Sequence, residues 1–244
     1  MWNSEFLGVI TARSGSKSIR DKNLQEISGK NLIEWSAGVL CKSKRIKNGI
    51  ISTDSAHYAT FAQNFGIASP FIRPLELAND NSTDREVFQH LCNWLSERGQ
   101  LPKYLVHLRP TTPIRDPQVI DFAIDTFLSF TTKITAMRSV QPMSESAYKC
   151  FEVNDEGKLI SIFTKDTAID ASNNPKEGFP KTYLPNGYVD IIDTEHLQRT
   201  GQLHGDSVMA FFTENTPEID SVYDLELARM MVEKNPNLHG RVFL

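Results

Sequence analysis

The sequence predicts an α/β protein built on a mostly parallel, three-layer sheet. A short, uncharged, β-branched run, Phe6-Leu7-Gly8-Val9-Ile10, reads as a buried strand. Apolar residues at helical spacing follow over 31–41, then a second strand-like run over 49–52 and a second helical stretch over 55–65. Strand, helix, strand, helix in that order calls for crossover connections and helices on both sheet faces. With 244 residues the chain is long enough for one large domain with a sizeable core.

The character of the sequence changes just after the first strand. Residues 12–24 carry Arg13, Lys17, Arg20 and Lys22, with Ser14, Gly15, Ser16 and Ser18 among them. A flexible basic loop at the carboxyl end of a first strand is where open α/β sheets bind phosphorylated ligands. Small residues let backbone N–H groups approach the anion and the cations neutralise it. A solvated basic loop is the alternative reading. The loop is not a Walker A motif, because Thr11 and Ser16 stand where glycines are required before Lys17-Ser18. It is not a dinucleotide fingerprint either, because Gly15 has no glycine partner before Gly29.

Further along, Ser52-Thr53-Asp54-Ser55 reads as a helix start, with Asp54 as the preferred N-cap or else a catalytic carboxylate. Asp84 reads as the N-cap of a helix over 85–97. Residues 104–108 form a strand candidate, Asp116-Pro117 open a helix, and a further strand is expected over 133–140. The pattern then breaks over 141–184. Two strand-like runs flank Asn154-Asp155-Glu156-Gly157, which predicts a hairpin, and a polar segment, 165–181, follows. This stretch reads as a protruding insert in a single domain of residues 1–244, with a disordered excursion as the alternative. Strands over 184–192 and 208–212 and a terminal helix to Val232 close the chain. Glu218 and Asp220 alternate, so both project from one side of an extended segment. Two carboxylates there suit a Mg²⁺ site beside phosphates, unless Asp220 or Ser221 caps the final helix.

Composition limits the function classes. The formal charge is −4 and no long basic tract occurs, which argues against a nucleic-acid partner. Cys41, Cys92 and Cys150 are scattered without a CxxC pair, which fits a reducing cytoplasm rather than a disulfide framework or zinc site. The start, Met1-Trp2-Asn3-Ser4-Glu5, lacks the basic region of a signal peptide, and no apolar run approaches the about 20 residues that span a bilayer.

The run ITARSGSKSIRDKNL resembles the signature of the acylneuraminate cytidylyltransferase family, which joins CTP to a sialic acid-like nonulosonate or related 2-keto-3-deoxy sugar acid. Further stretches resemble it in order: Ser52 to Asp54, RPLELANDNSTD from Arg73, RPTTPIR from Arg109, Pro185-Asn186-Gly187, and Ile219 to Leu225. The resemblance implies a Rossmann-like, glycosyltransferase-A-like nucleotidyltransferase fold whose 141–184 insert is a homodimerisation arm. It implies that Arg13, Ser16, Lys17, Lys22 and Asn23 face the triphosphate. Arg73 and Ser82 would meet the base and ribose, and Arg109, Thr111, Asn186 and Asp190 the sugar acid. Arg13, Lys22 and Asp220 are the expected catalytic residues, with Mg²⁺ or Mn²⁺ on Asp220 and Glu218. The sequence departs from the family pattern at the sugar end. Arg109 stands in place of a glutamine, Leu184 of an arginine and Asp190 often of a tyrosine. The expected reaction is cytidylyl transfer from CTP to a sugar acid other than plain N-acetylneuraminate. A nucleotidyltransferase using UTP or a sugar 1-phosphate, and a non-catalytic nucleotide-binding protein, are the alternatives.

Overall fold

The computed structural model describes residues 2, 4–165 and 168–244. Met1 and Asn3, at the start that was read for a signal peptide, lie outside the described residues, as do Asp166 and Thr167 of the polar segment. The first half of the chain forms β1 (Phe6–Thr11), a small pair β2 (Glu26–Ile27) and β3 (Lys30–Asn31), α1 (Leu32–Lys42), β4 (Gly49–Ser52), α2 (Ala56–Gln63), α3 (Asp84–Ser96), β5 (Tyr104–His107) and α4 (Pro117–Ser129). The second half forms β6 (Ala136–Pro142), the hairpin β7 (Phe151–Val153) and β8 (Leu159–Ser161), β9 (Tyr183–Asp193), α5 (Thr194–Thr200), β10 (Val208–Phe212), α6 (Val222–Lys234) and α7 (Asn237–Phe243).

Six strands make the main sheet in the order β10-β6-β9-β5-β1-β4. β1 pairs parallel with β4 and with β5, as the strand–helix–strand order requires, whereas β9 runs antiparallel to β5. Alternation along β1 divides the core between two faces. Leu7 and Val9 pack with Phe88, Leu91 and Leu95 of α3 and Leu197 of α5. Phe6 and Ile10 belong to the larger cluster with Leu32 and Ile33 of α1 and Ile120 and Ile124 of α4. Trp35 of α1 is fully buried there, and its indole N–H donates to the Ile27 carbonyl at 3.1 Å. Asn31 caps α1 through a reciprocal bond pair with Glu34, which satisfies two otherwise unpaired backbone donors.

Several elements differ from those the sequence predicts. Ser55, not Asp54, caps α2, by accepting from the Tyr58 amide. Thr83, not Asp84, caps α3 in a capping box with Glu86, so Asp84 enters the first turn with its side chain free to turn elsewhere. Of the two caps the sequence offers for the final helix, Ser221 rather than Asp220 is used, in a box with Asp224, which leaves the Asp220 side chain out of the cap. The strand expected at 133 begins at Ala136, because Thr135 bonds the His204 and Ser207 carbonyls through its hydroxyl and the Ser207 carbonyl through its amide. Pro236 follows α6, and a second terminal helix, α7, replaces the expected end at Val232. It packs Phe243 edge-on against Trp35, with ring centroids 5.0 Å apart. The approach requires Gly38 in α1, where a Cβ would lie 2.6 Å from Cγ1 of Val242.

Val140–Pro185 forms a compact unit of its own, and the rest of the chain forms the other. Within the smaller unit the hairpin predicted around 154–157 is present, with Phe151 opposite Ser161. Asn154 Oδ1 closes its turn by accepting from the Glu156 and Lys158 amides. The rings of Tyr148 and Phe163 stack at 3.6 Å.

Replacing Trp35 by alanine removes the indole on which α1, α7 and the β2–β3 pair converge. The expected loss is about 3–5 kcal/mol, the usual cost of truncating a buried tryptophan. A guanidinium titration reads it as a lowered midpoint at unchanged slope.

Candidate active site

β1 ends at Thr11 and delivers the basic loop to the carboxyl edge of the sheet. Two polar clamps hold the loop. Ser14 donates its amide and hydroxyl to the Asp54 carboxylate at 2.7 and 2.5 Å, so the role of Asp54 is to anchor the loop rather than to cap α2. The buried Asn23 donates its amide nitrogen to the Arg13 carbonyl at 3.0 Å. Between these clamps the loop borders a cleft of about 430 Å³. Of the residues singled out by sequence, Arg13, Ser16, Lys17, Lys22, Asn23, Arg73, Ser82, Arg109, Thr111 and Glu218 all line it.

The loop cations have carboxylate partners. Asp80 pairs with Arg13 at 2.9 Å and with Lys17, and these two hydrogen bonds hold its carboxyl below the usual range. Lys22 donates to the Ile219 carbonyl at 3.0 Å and to Asp220 Oδ1 at 2.9 Å. Glu218 stands on the cleft wall with its carboxyl raised by burial and by the nearby charge of Asp220. Among the described residues no group of three or more histidine, cysteine or acidic side chains gathers as a metal site. The Glu218–Asp220 pair nevertheless offers the carboxylate oxygens a divalent cation takes, and a cation there would relieve their mutual repulsion.

Arg73 is only 4% exposed, and its fork is largely taken by the protein. It donates to the Ser52 hydroxyl at 3.1 Å, to the Ser52 carbonyl and to the Leu77 carbonyl, and burial pushes its pKa down to about 10. Ser82 holds the same segment, donating to the Glu76 carbonyl and accepting from the Asn79 amide.

The floor of the cleft is a charge network. Arg109 donates from Nη1 to Asp84 at 2.5 Å and from Nη2 to Asp190 at 3.2 Å. Burial alone would lower the Arg109 pKa, but these two carboxylates raise it above its ordinary value. Burial opposes ionisation of Asp84, yet the positive groups around it, Arg109 among them, hold its carboxyl below the usual range. Asp190 also accepts from Nε of Arg138 at 3.3 Å. Two guanidinium groups thus face two carboxylates. Asp190, expected as an acceptor for the sugar, is 2% exposed and does not line the cleft; its carboxylate is occupied in orienting Arg109. Asn186 is likewise buried, at 3%, and donates its side-chain amide to Thr213 while accepting from the Tyr188 amide. It lies within β9, directly before Gly187. Gly187 has φ of +63°, and a Cβ there would lie 2.8 Å from Cδ of Arg109, so the close approach of that arginine depends on the glycine.

Three residues that the sequence reading did not assign complete the site. Thr11 lines the cleft and His107 lies behind it, with Thr11 Oγ1 2.9 Å from His107 Nε2. His107 is 1% exposed, and burial pushes its pKa down to about 3, so the ring is neutral. Arg115, the last residue of the RPTTPIR run, is buried and ties that run to β9. It donates to the carbonyls of Arg109, Gly187 and Tyr188 at 2.6–2.8 Å. The available signal for His107 was a lone imidazole in an otherwise apolar strand; its meaning depends on the pairing that sets it opposite Asp190.

A cleft at the carboxyl edge of a mixed α/β sheet, walled by loop cations and by Glu218, with Asp220 outside the lining and paired with Lys22, defines a nucleotide-handling transferase. The sequence model of the family described as cytidylyltransferase matches residues 7–176, and the chain belongs to that family. It is an enzyme of the nucleotidyltransferase class. An N-acylneuraminate cytidylyltransferase of Escherichia coli is 27% identical over 98% of this chain, which spans 57% of that protein. A CMP-N,N'-diacetyllegionaminic acid synthase of Legionella pneumophila is 27% identical, over 94% of this chain and 97% of the relative. A pseudaminic acid cytidylyltransferase of Campylobacter jejuni is also 27% identical, with the same coverage. The fold is that of a CMP:2-keto-3-deoxy-manno-octonic acid synthetase solved with CTP, at a TM-score of 0.67 and 17% identity over 95% of this chain and 99% of that one. Among the described residues no helix is long and apolar enough to cross a membrane.

The His107 shift has a sign that can be tested. Its folded pKa lies below the unfolded value of 6.5, so between the two values the unfolded chain binds the extra proton. Its contribution to stability is complete above about pH 6.5 and is lost progressively as the pH falls toward about 3. Urea midpoints measured across that window should fall less steeply for His107→Leu than for the unaltered protein.

Proposed function

We propose that this enzyme transfers the cytidylyl group of CTP to a 2-keto-3-deoxy sugar acid of the nonulosonate kind, giving the CMP-sugar and pyrophosphate. The observation that carries the reading is the convergence of Arg13, Lys17 and Lys22 on one cleft that also holds Arg73 and Glu218. The relatives named above support the choice of nucleotide and sugar class. In the reaction the anomeric oxygen of the acid forms a bond to the α-phosphorus, and the bond from that phosphorus to the bridging oxygen breaks. Such a transfer depends mainly on positioning and on neutralising charge. Arg13, Lys17 and Lys22 hold the β- and γ-phosphates and stabilise the departing pyrophosphate. To do so, Arg13 and Lys17 exchange Asp80, and Lys22 exchanges Asp220, for phosphate oxygens. The Asp80 pairs lie in the open, where solvent screens them, and the Asp220 partner of Lys22 is exposed, so a polyanion displaces these carboxylates readily. Ser16 and Asn23 shape the loop around the phosphates, and Arg73 with Ser82 sets the segment that borders the base.

Glu218 and Asp220 would hold Mg²⁺, or Mn²⁺ in its place, which when bound neutralises phosphate charge and lowers the pKa of the attacking hydroxyl. At the sugar end Arg109 is the group presented to the acid, with Thr111 beside it. Because Asp84 and Asp190 fix its fork, it offers a pre-oriented donor plane, and the net charge of the network is balanced before the acid arrives. A site of this kind discriminates by polar match, which supports an acid other than plain N-acetylneuraminate. Two coarser features belong to the same reading. The three free cysteines support a reducing, cytoplasmic setting. The exposed Val153, Leu159, Phe163 and Tyr183 of the 141–184 insert support a homodimer, which light scattering at micromolar concentration would read.

Pyrophosphate release, followed across nucleotides and a panel of sugar acids with and without chelator, tests the reaction. The expected result is release with CTP, dependent on divalent metal, and greatest with an acid other than N-acetylneuraminate. Release with UTP and a sugar 1-phosphate but not with CTP would remove the reading. Lys22→Ala and Arg13→Ala should each lower turnover by about ten- to a thousandfold, the range for losing one preorganised charge contact. Near-normal rates in both folded variants would show that the loop does not meet the phosphates.

A further inference from the structure

Thr11 occupies an unusual position among the residues of the cleft, because its hydroxyl is paired with a buried imidazole rather than with backbone. In a neutral imidazole one ring nitrogen donates and the other accepts. His107 Nδ1 faces Asp190 Oδ2 at 4.0 Å, across the strand pair in which the two residues are direct partners. An N–H directed at a carboxylate is favoured and a lone pair is repelled, so the ring proton lies on Nδ1. Nε2 is therefore the acceptor, and the Thr11 hydroxyl donates its single proton to it at 2.9 Å. What the hydroxyl can still offer the cleft is a lone pair. The ring cannot turn away, because Phe88 of α3 packs edge-on against it, with centroids 4.8 Å apart. The neighbour of Phe88 on the helix, Val87, lines the cleft together with Leu77, and the two give it apolar wall on which a flat ring can rest.

We propose that Thr11 is a specificity-determining, acceptor-only group that reads an N–H donor on the nucleotide base, the exocyclic amino group of cytosine, and that His107 is the positioning residue that fixes this polarity. The inference rests on the cytidylyl reading and deepens it, since nothing in the phosphate loop can tell one pyrimidine triphosphate from another. A uracil offers a carbonyl oxygen where cytosine offers the amino group. Against Thr11 that would set acceptor against acceptor, and an unmatched buried polar pair discriminates strongly. Removing His107 frees the hydroxyl proton to rotate toward the cleft, where it can serve a uracil carbonyl as well as a cytosine amine.

Calorimetric binding of CTP, UTP and 2′-deoxy-CTP to the full chain tests this in the unaltered protein, Thr11→Val, Thr11→Ser and His107→Leu. The unaltered protein should prefer CTP to UTP. Thr11→Val, which keeps the shape and loses the hydroxyl, should narrow that preference about tenfold, the usual worth of one such bond. Thr11→Ser should retain it. His107→Leu should narrow it mainly through tighter UTP binding, a change that a merely structural role would not produce; should that variant fail to fold, the two Thr11 variants decide alone. An unchanged CTP-to-UTP ratio in folded Thr11→Val overturns the proposal. So does a result in which Thr11→Val erases only the difference between CTP and 2′-deoxy-CTP, since Thr11 would then read a ribose hydroxyl. An unaltered protein that binds no pyrimidine triphosphate overturns the cytidylyl reading itself, which is a separate outcome.

Discussion

The site depends on one buried guanidinium. Arg115 is almost wholly removed from water, and among the described residues no carboxylate pairs with it; burial pushes its pKa down to about 9. Its donors are met by the carbonyls of Arg109, Gly187 and Tyr188 and by the Ser36 hydroxyl. A buried cation left without such acceptors would be strongly destabilising, so those backbone groups are held where the fork needs them. The turn that carries Arg109 to Thr111 is thereby locked to β9 and to α1. Ile219 joins the same assembly through its amide, which donates to the Thr111 carbonyl at 2.7 Å. Glu218 and Asp220 flank that residue, so the carboxylate pair is placed by the same anchor.

Two kinds of cation share the cleft, and their surroundings separate them. Arg73 and Arg115 are enclosed, and their forks are spent on carbonyls and hydroxyls of the protein. They set geometry and cannot leave without uncovering unpaired groups. Arg13 and Lys17 pair with Asp80 in the open, where solvent screens the attraction and exchange is cheap. Lys22 stands between these cases: its stem is sheltered while its partner Asp220 is exposed. The exchangeable charges lie on the loop and the fixed ones beneath it, which is the division of labour a polyphosphate site requires. Below both, Arg109 and Arg138 balance Asp84 and Asp190, so the floor adds direction rather than net charge.

Much of this was legible in the chain. The apolar run at Phe6, the change to cations at Arg13 and the helical spacing from Leu32 follow from local patterns, because strand and helix periodicity are short-range properties. The loop residues were read for the same reason: cations and small residues close in sequence cannot be far apart in space. The caps at Asp54 and Asp84 were misread because Asp, Ser and Thr cap almost equally well, and adjacent residues compete. Ser55 and Thr83 took the caps, and the displaced carboxylates went to Ser14 and Arg109, partners that no local pattern could name.

The sequence by itself determined the α/β class, the basic loop after the first strand and the alternation of Glu218 with Asp220. The tertiary structure alone decided which polar groups face the cleft and which lie beneath it. Asp190 and Asn186 looked like contacts for a ligand, but the antiparallel pairing of β9 with β5 turns Asp190 inward onto His107 and Arg109. Burial then makes the difference. Under water each of these side chains would be an independent hydrogen-bonding group. Enclosed, each must find a partner among its neighbours, and those partners, remote in the chain, give Arg109 its orientation and His107 its neutral ring.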